Sequence, residues 1–139
     1  MPIARARTQA GVATDAVAAD VAGTAPADGA TPPSVVITCP DQLSPAVERA
    51  LAGRLDDPPP VLPFPTGGDP LFVDWVDYGE RNRAADPDAF LAEVADRIPA
   101  DATVYVVINT SYLTFEGQCE ALLGALGVDR DGQEITSGD

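Results

Sequence analysis

Two β-branched runs dominate the hydrophobic pattern of this chain. One is Val35-Val36-Ile37 within Ser34 to Thr38, and the other is Val104 to Ile108 within Thr103 to Ile108. Neither alternates polar with apolar positions, so both read as strands covered on two faces, as in a parallel sheet flanked by helices. Between and after them the spacing becomes helical. Val47, Ala50 and Leu51 share one side of a helix over Pro45 to Ala52. Ser44 is expected to be its N-cap, Pro45 its first helical residue and Gly53 its stop. Phe90, Leu91, Val94 and Ile98 form a core-facing stripe on a helix that starts at the cap Asp86, carries Pro87 first and runs to about Arg97. Cys119, Leu122, Leu123 and Leu126 form another stripe, on a last helix expected to be capped by Thr114 and closed by Gly127. Weaker signals are an Ala-dominated helix over Gln9 to Val21 and a short strand Val61 to Phe64, whose Pro63 suits a sheet edge. One or two helical turns are expected over Asp74 to Arg81, with Trp75 and Tyr78 on one face.

This order predicts an α/β fold: a small three-layer Rossmann-like unit with a short parallel sheet flanked by helices and right-handed crossovers. The two strong runs are expected to be neighbours. The chain divides on composition into an N-terminal helix and flexible connector (1–33), the α/β domain (34–127) and a polar tail expected to be disordered (128–139). A length of 139 residues suits one domain.

Charge and composition then narrow the functions. There are 22 acidic against 8 basic residues, every basic one an Arg, for a net charge of −14. That balance excludes the basic footprint that nucleic-acid binding needs, and it disfavours docking on anionic lipid. With no histidine there is no Ser-His-Asp triad, no Cys-His pair and no imidazole metal ligand. No apolar stretch approaches the ~20 residues of a membrane helix, and Arg5 and Arg7 are not followed by the apolar core of a signal peptide. Gly67-Gly68 reads as a turn, since no Lys-Ser/Thr pair follows to make a phosphate loop. Asp74, Asp77 and Glu80 recur every three residues, but Arg81 and Arg83 can neutralise them, so they read as a solvated face and not as a cation site. No cofactor or metal is expected.

The ends of the strong strands hold the chemistry of interest, because ligands of parallel sheets bind outside the carboxyl ends of the strands. Cys39, Asp41 and Gln42 follow the first strand; Asn109, Ser111, Tyr112, Thr114 and Glu116 follow the second. Asp41, Gln42, Asn109, Tyr112, Thr114 and Glu116 are therefore binding candidates, although the same residue types also serve as caps and loop hydrogen-bonders. No residue is assigned a catalytic role. An enzymatic alternative would use Asp41 and Glu116 as a carboxylate pair for glycoside chemistry. Cys39 and Cys119 each lie beyond a strand end, so they are disulfide candidates if those strands are neighbours. The alternatives are inert buried thiols, or a thiol nucleophile that lacks a base to activate it.

Four groups of residues carry a resemblance. They are Arg7-Thr8-Gln9-Ala10-Gly11; Cys39-Pro40-Asp41-Gln42-Leu43 with Pro45-Ala46-Val47; Val73-Asp74-Trp75-Val76-Asp77-Tyr78 with Glu80-Arg81-Asn82; and Tyr112 with Thr114-Phe115-Glu116-Gly117-Gln118-Cys119-Glu120-Ala121-Leu122. Together they resemble the soluble C-terminal region of polytopic actinobacterial membrane proteins of the glycosyltransferase type that uses lipid-linked donors. The resemblance implies an extracytoplasmic domain that follows a last membrane helix. The family's catalytic residues lie in loops of the membrane part, so none is carried over to this chain. The expected role is a non-catalytic accessory or binding module, working with a membrane glycosyltransferase or an acceptor saccharide at the outer face of the membrane. The alternative is a stand-alone small-molecule or protein-binding α/β domain.

Overall fold

The computed structural model describes residues 2–7, 17–21, 34–39, 41–71, 80, 83–99, 102–108, 118–127 and 131–137. Its strands are β1 (Pro2–Arg7), β2 (Ser34–Cys39), β3 (Val61–Pro63), β4 (Thr103–Ile108) and β5 (Asp131–Ser137). Its helices are α1 (Ser44–Arg54), α2 (Pro87–Val94) and α3 (Gln118–Gly127), with 3₁₀ turns at Asp41–Leu43 and Ala95–Arg97. Residues 17–21 are also helical.

The five strands form one parallel sheet in the order β3-β2-β4-β1-β5. The two β-branched runs are neighbours at its centre, in register from Ser34↔Thr103 to Cys39↔Ile108. Their lack of alternation has a direct cause. Val35, Ile37, Val104, Val106 and Ile108 pack against Phe90 and Val94 of α2 and Leu122 and Leu126 of α3. The residues between them, Val36, Tyr105 and Val107, pack on the opposite face against Val47 and Leu51 of α1 and Val17 and Ala18. The apolar positions along β2 and β4 thus meet an apolar layer on either face, and the three-layer α/β fold is the result.

The connections obey one handedness rule. From β1 to β2 to β3 the chain steps one way across the sheet, with helices on one face; from β3 to β4 to β5 it steps back, with α2 and α3 on the other. Reversing direction and face together keeps a single hand, as the crossover rule requires.

Local chemistry sets the ends of the elements. Asp86 caps α2, its Oδ1 accepting from the amides of Asp88 (3.0 Å) and Ala89 (3.3 Å). The carboxylate satisfies two orphan donors where the helix dipole is positive. Phe64 and Phe90 meet edge to face at 5.0 Å beneath α2. β3 lies at the sheet edge, as its proline demanded: Pro60 O accepts from Val36 N and Thr38 O accepts from Phe64 N, both at 2.9 Å, while Pro63 has no N–H to donate. Gly67 takes φ = +67° in the turn that follows, and its carbonyl accepts from Arg97 Nη2 at 2.8 Å. Gly67-Gly68 is accordingly a turn.

Three expectations are corrected. Ser44 is not a cap. The 3₁₀ turn Asp41–Leu43 runs straight into α1, Leu43 takes the cap position with no side-chain bond, and the Ser44 hydroxyl turns inward. Gly53 does not stop α1, which continues to Arg54; there Arg54 Nη1 donates to Ala50 O at 3.1 Å. The largest correction concerns the termini. The sheet extends beyond 34–127, because β1 inserts between β4 and β5, and β5 occupies what reads as a disordered tail at 128–139. The physical reason is that parallel pairing is made by backbone groups. A polar segment such as Asp131–Ser137 can supply it at an edge, where only one neighbour is needed. The N-terminal division 1–33 likewise begins with a strand, and of the helix expected over Gln9 to Val21 only residues 17–21 are described. Trp75, Tyr78 and the carboxylates Asp74 and Asp77 lie outside the described residues.

Candidate functional site

The chain leaves β2 toward α1 on one face of the sheet and leaves β4 toward α3 on the other. The carboxyl ends of these adjacent strands therefore form a topological switch point, where open α/β sheets bind ligands. Cys39 and Ile108 are register partners at this edge.

The residues leaving β2 are polar and unusually buried. Thr38, Asp41 and Ser44 are the buried polar residues among those described, Asp41 being 2 % exposed. The hydroxyls of Thr38 and Ser44 hydrogen-bond to each other, tying the start of α1 back onto the strand. Between them Gln42 turns its Oε1 into the interior, where no donor among the described residues meets it. A buried acceptor without a donor costs about 1–3 kcal/mol.

The disulfide candidates form a bond. Cys39 ends β2 and Cys119 lies in the first turn of α3; their Cα atoms are 5.8 Å apart and the sequence separation is 80. That spacing falls in the range a disulfide requires. The bridge is buried, with Cys39 0 % and Cys119 2 % exposed, and it joins the two elements that diverge at the switch point.

Two of the residues proposed for binding from the sequence, Asp41 and Gln42, are described. Asp41 and Gln42 lie at the switch point beside the bridge. Asn109, Tyr112, Thr114 and Glu116 are outside the described residues, and so, with Glu116, is the Asp41–Glu116 carboxylate pair. No helix among the described residues is long and apolar enough to cross a membrane.

One polar pair escaped the sequence reading. Tyr105, counted as part of an apolar run, has a fully buried side chain whose Oη donates to Asp20 Oδ2 at 2.6 Å. Burial pushes the phenol's pKa well above its ordinary value, and the hydrogen bond and negative charge of Asp20 push the same way. The pair fastens the helical residues 17–21 to the sheet, on the face away from the disulfide. A signal existed: a tyrosine inside a two-sided buried strand needs a partner for its hydroxyl. What the sequence lacked was the partner's address, 85 residues away.

Comparison with models of known protein families, with curated proteins and with solved structures finds no match to this chain.

Proposed function

We propose that this chain is a non-catalytic binding or accessory module that works outside the cytoplasmic membrane. There it would present the carboxyl ends of β2 and β4 to the acceptor saccharide of a glycosyltransferase that uses a lipid-linked donor. The observation that carries the reading is the buried Cys39–Cys119 bridge at the switch point. Disulfides persist in oxidising compartments and are rare where glutathione and thioredoxin keep thiols reduced. Beside it, the Gln42 carbonyl offers an acceptor of the kind that sugar hydroxyls satisfy. The lipid-linked donor and the membrane partner come from the sequence resemblance.

The test is a titration of the oxidised chain with neutral oligosaccharides, followed by amide NMR. Saturable shifts centred on Asp41, Gln42 and Leu43 are expected. Gln42→Ala should weaken binding by about tenfold, the equivalent of one hydrogen bond of roughly 1.4 kcal/mol. Failure of every saccharide to shift these amides at concentrations above about 1 mM, equivalent to roughly −4 kcal/mol, would reject the saccharide reading. Shifts of the same amides by an unrelated small molecule or protein would instead favour a stand-alone binding domain.

A further inference from the structure

We infer that the Cys39–Cys119 bond is made before the core closes, by exchange with an external disulfide, while α3 is still undocked from the sheet. The chain is then a substrate for a thiol–disulfide oxidant, and its folding is coupled to that encounter. This inference stands independently of what the strand ends bind.

Three observations lead to it. The first is access. Thiol–disulfide exchange needs an attacking thiolate to reach a sulfur, yet both cysteines are buried in the same cluster as Ile37, Ile108 and Leu122. The second is coupling between access and docking. Cys119 shares α3 with Leu122 and Leu126, which seat that helix on the sheet. Undocking α3 exposes Cys119 and uncovers Cys39; docking it seals both. The third is order. The 80-residue separation spans α1, β3, α2 and β4. The β2–β4 register brings Cys39 beside Ile108, so α3 emerges close to its target once that pairing exists. The oxidisable intermediate is thus a β3-β2-β4 sheet with α3 loose.

The chemistry balances in two exchanges. The thiolate of one cysteine attacks an external disulfide, forming a mixed disulfide and releasing one external thiolate. The second cysteine's thiolate then attacks the chain's own sulfur in that mixed disulfide, closing Cys39–Cys119 and releasing the second external thiolate. Two electrons pass to the external disulfide, and the two protons lost by the cysteines are taken up by solvent or by the released thiolates.

The experiment begins with the native, oxidised full chain. Dithiothreitol is varied over about a hundredfold range, and bond loss is followed by alkylation and mass spectrometry. The rate is expected to plateau, because opening of α3 becomes limiting when exchange outpaces reclosing. Leu122→Ala should raise that plateau by at least about tenfold, since it weakens the docking of α3. In the forward direction, the reduced, denatured chain is diluted into native buffer with either glutathione disulfide or a dithiol-oxidase protein, and near-UV circular dichroism is recorded in parallel. Bond formation is expected to precede the native dichroism signal, and the faster oxidant identifies the source of the disulfide. A reduction rate that stays proportional to dithiothreitol and is unmoved by Leu122→Ala would overturn the inference, because the bridge would be open to attack with α3 docked. So would rapid oxidation of a reduced chain that already carries the native near-UV signal.

Discussion

Replacing Tyr105 with phenylalanine keeps the ring that fills the layer beneath Val17 and Ala18 and removes only the hydroxyl. The lost interaction is one 2.6 Å hydrogen bond to Asp20, whose half-buried carboxylate can recover some water contact. A cost of about 1.5 kcal/mol at neutral pH follows, between that of a neutral hydrogen bond and that of one to a well-buried charge. The pH dependence makes the test specific. In the unfolded chain the phenol ionises near pH 10; in the folded protein burial, the hydrogen bond and Asp20 hold its pKa well above that. Above pH 10 the native state therefore binds one more proton than the unfolded state. Its stability is intact below the unfolded pKa and falls as pH rises, by up to about 1.4 kcal/mol per unit. Tyr105→Phe has no such titration at this position. The other two tyrosines, Tyr78 and Tyr112, are common to both chains and cancel in the difference. The advantage of the natural residue should thus shrink above pH 10, vanish roughly one unit higher and then reverse. Urea unfolding of the oxidised chain and its variant, read by far-UV circular dichroism between pH 7 and about 11.5, measures this directly. Equal stability at pH 7, or a difference that does not change above pH 10, would refute the assignment of a buried, protonated Tyr105 bound to Asp20.

Substitutions at two further positions test the packing and the caps. Asp86→Ala removes the acceptor of two amide hydrogen bonds at the start of α2 and should cost about 1 kcal/mol, seen as a lower urea midpoint with an unchanged slope; Asp86→Asn should keep most of the natural stability, because asparagine caps nearly as well. Phe90→Ala empties one half of the edge-to-face pair with Phe64 in the cluster that also seats α3, so a loss of about 3–5 kcal/mol is expected, and a value below about 1 kcal/mol would show that this layer is not packed as described.

The sequence by itself determined whatever depends on local chemistry or on a residue's need to be covered. The unbroken β-branched runs marked the two central strands because a strand covered on both faces cannot carry alternating polar residues. Proline at Pro63 marked an edge, and Asp86-Pro87 marked a helix start, because a missing donor and a side-chain acceptor act within a few residues. The disulfide was legible as far as the placement of Cys39 and Cys119 beyond two strands expected to be neighbours. Only the tertiary structure decided the rest. The strand order, with β4 between β2 and β1, depends on which backbone edges meet, and nothing in a strand's own residues names its neighbour. For that reason the polar segment Asp131–Ser137 became a strand against its composition. Ser44 followed the same logic: its local pattern said cap, but the nearby hydroxyl of buried Thr38 held its side chain inside. The Tyr105–Asp20 bond and the inward carbonyl of Gln42 were settled last, since both arise where separately determined elements come together and leave a buried polar atom to find a partner or go without.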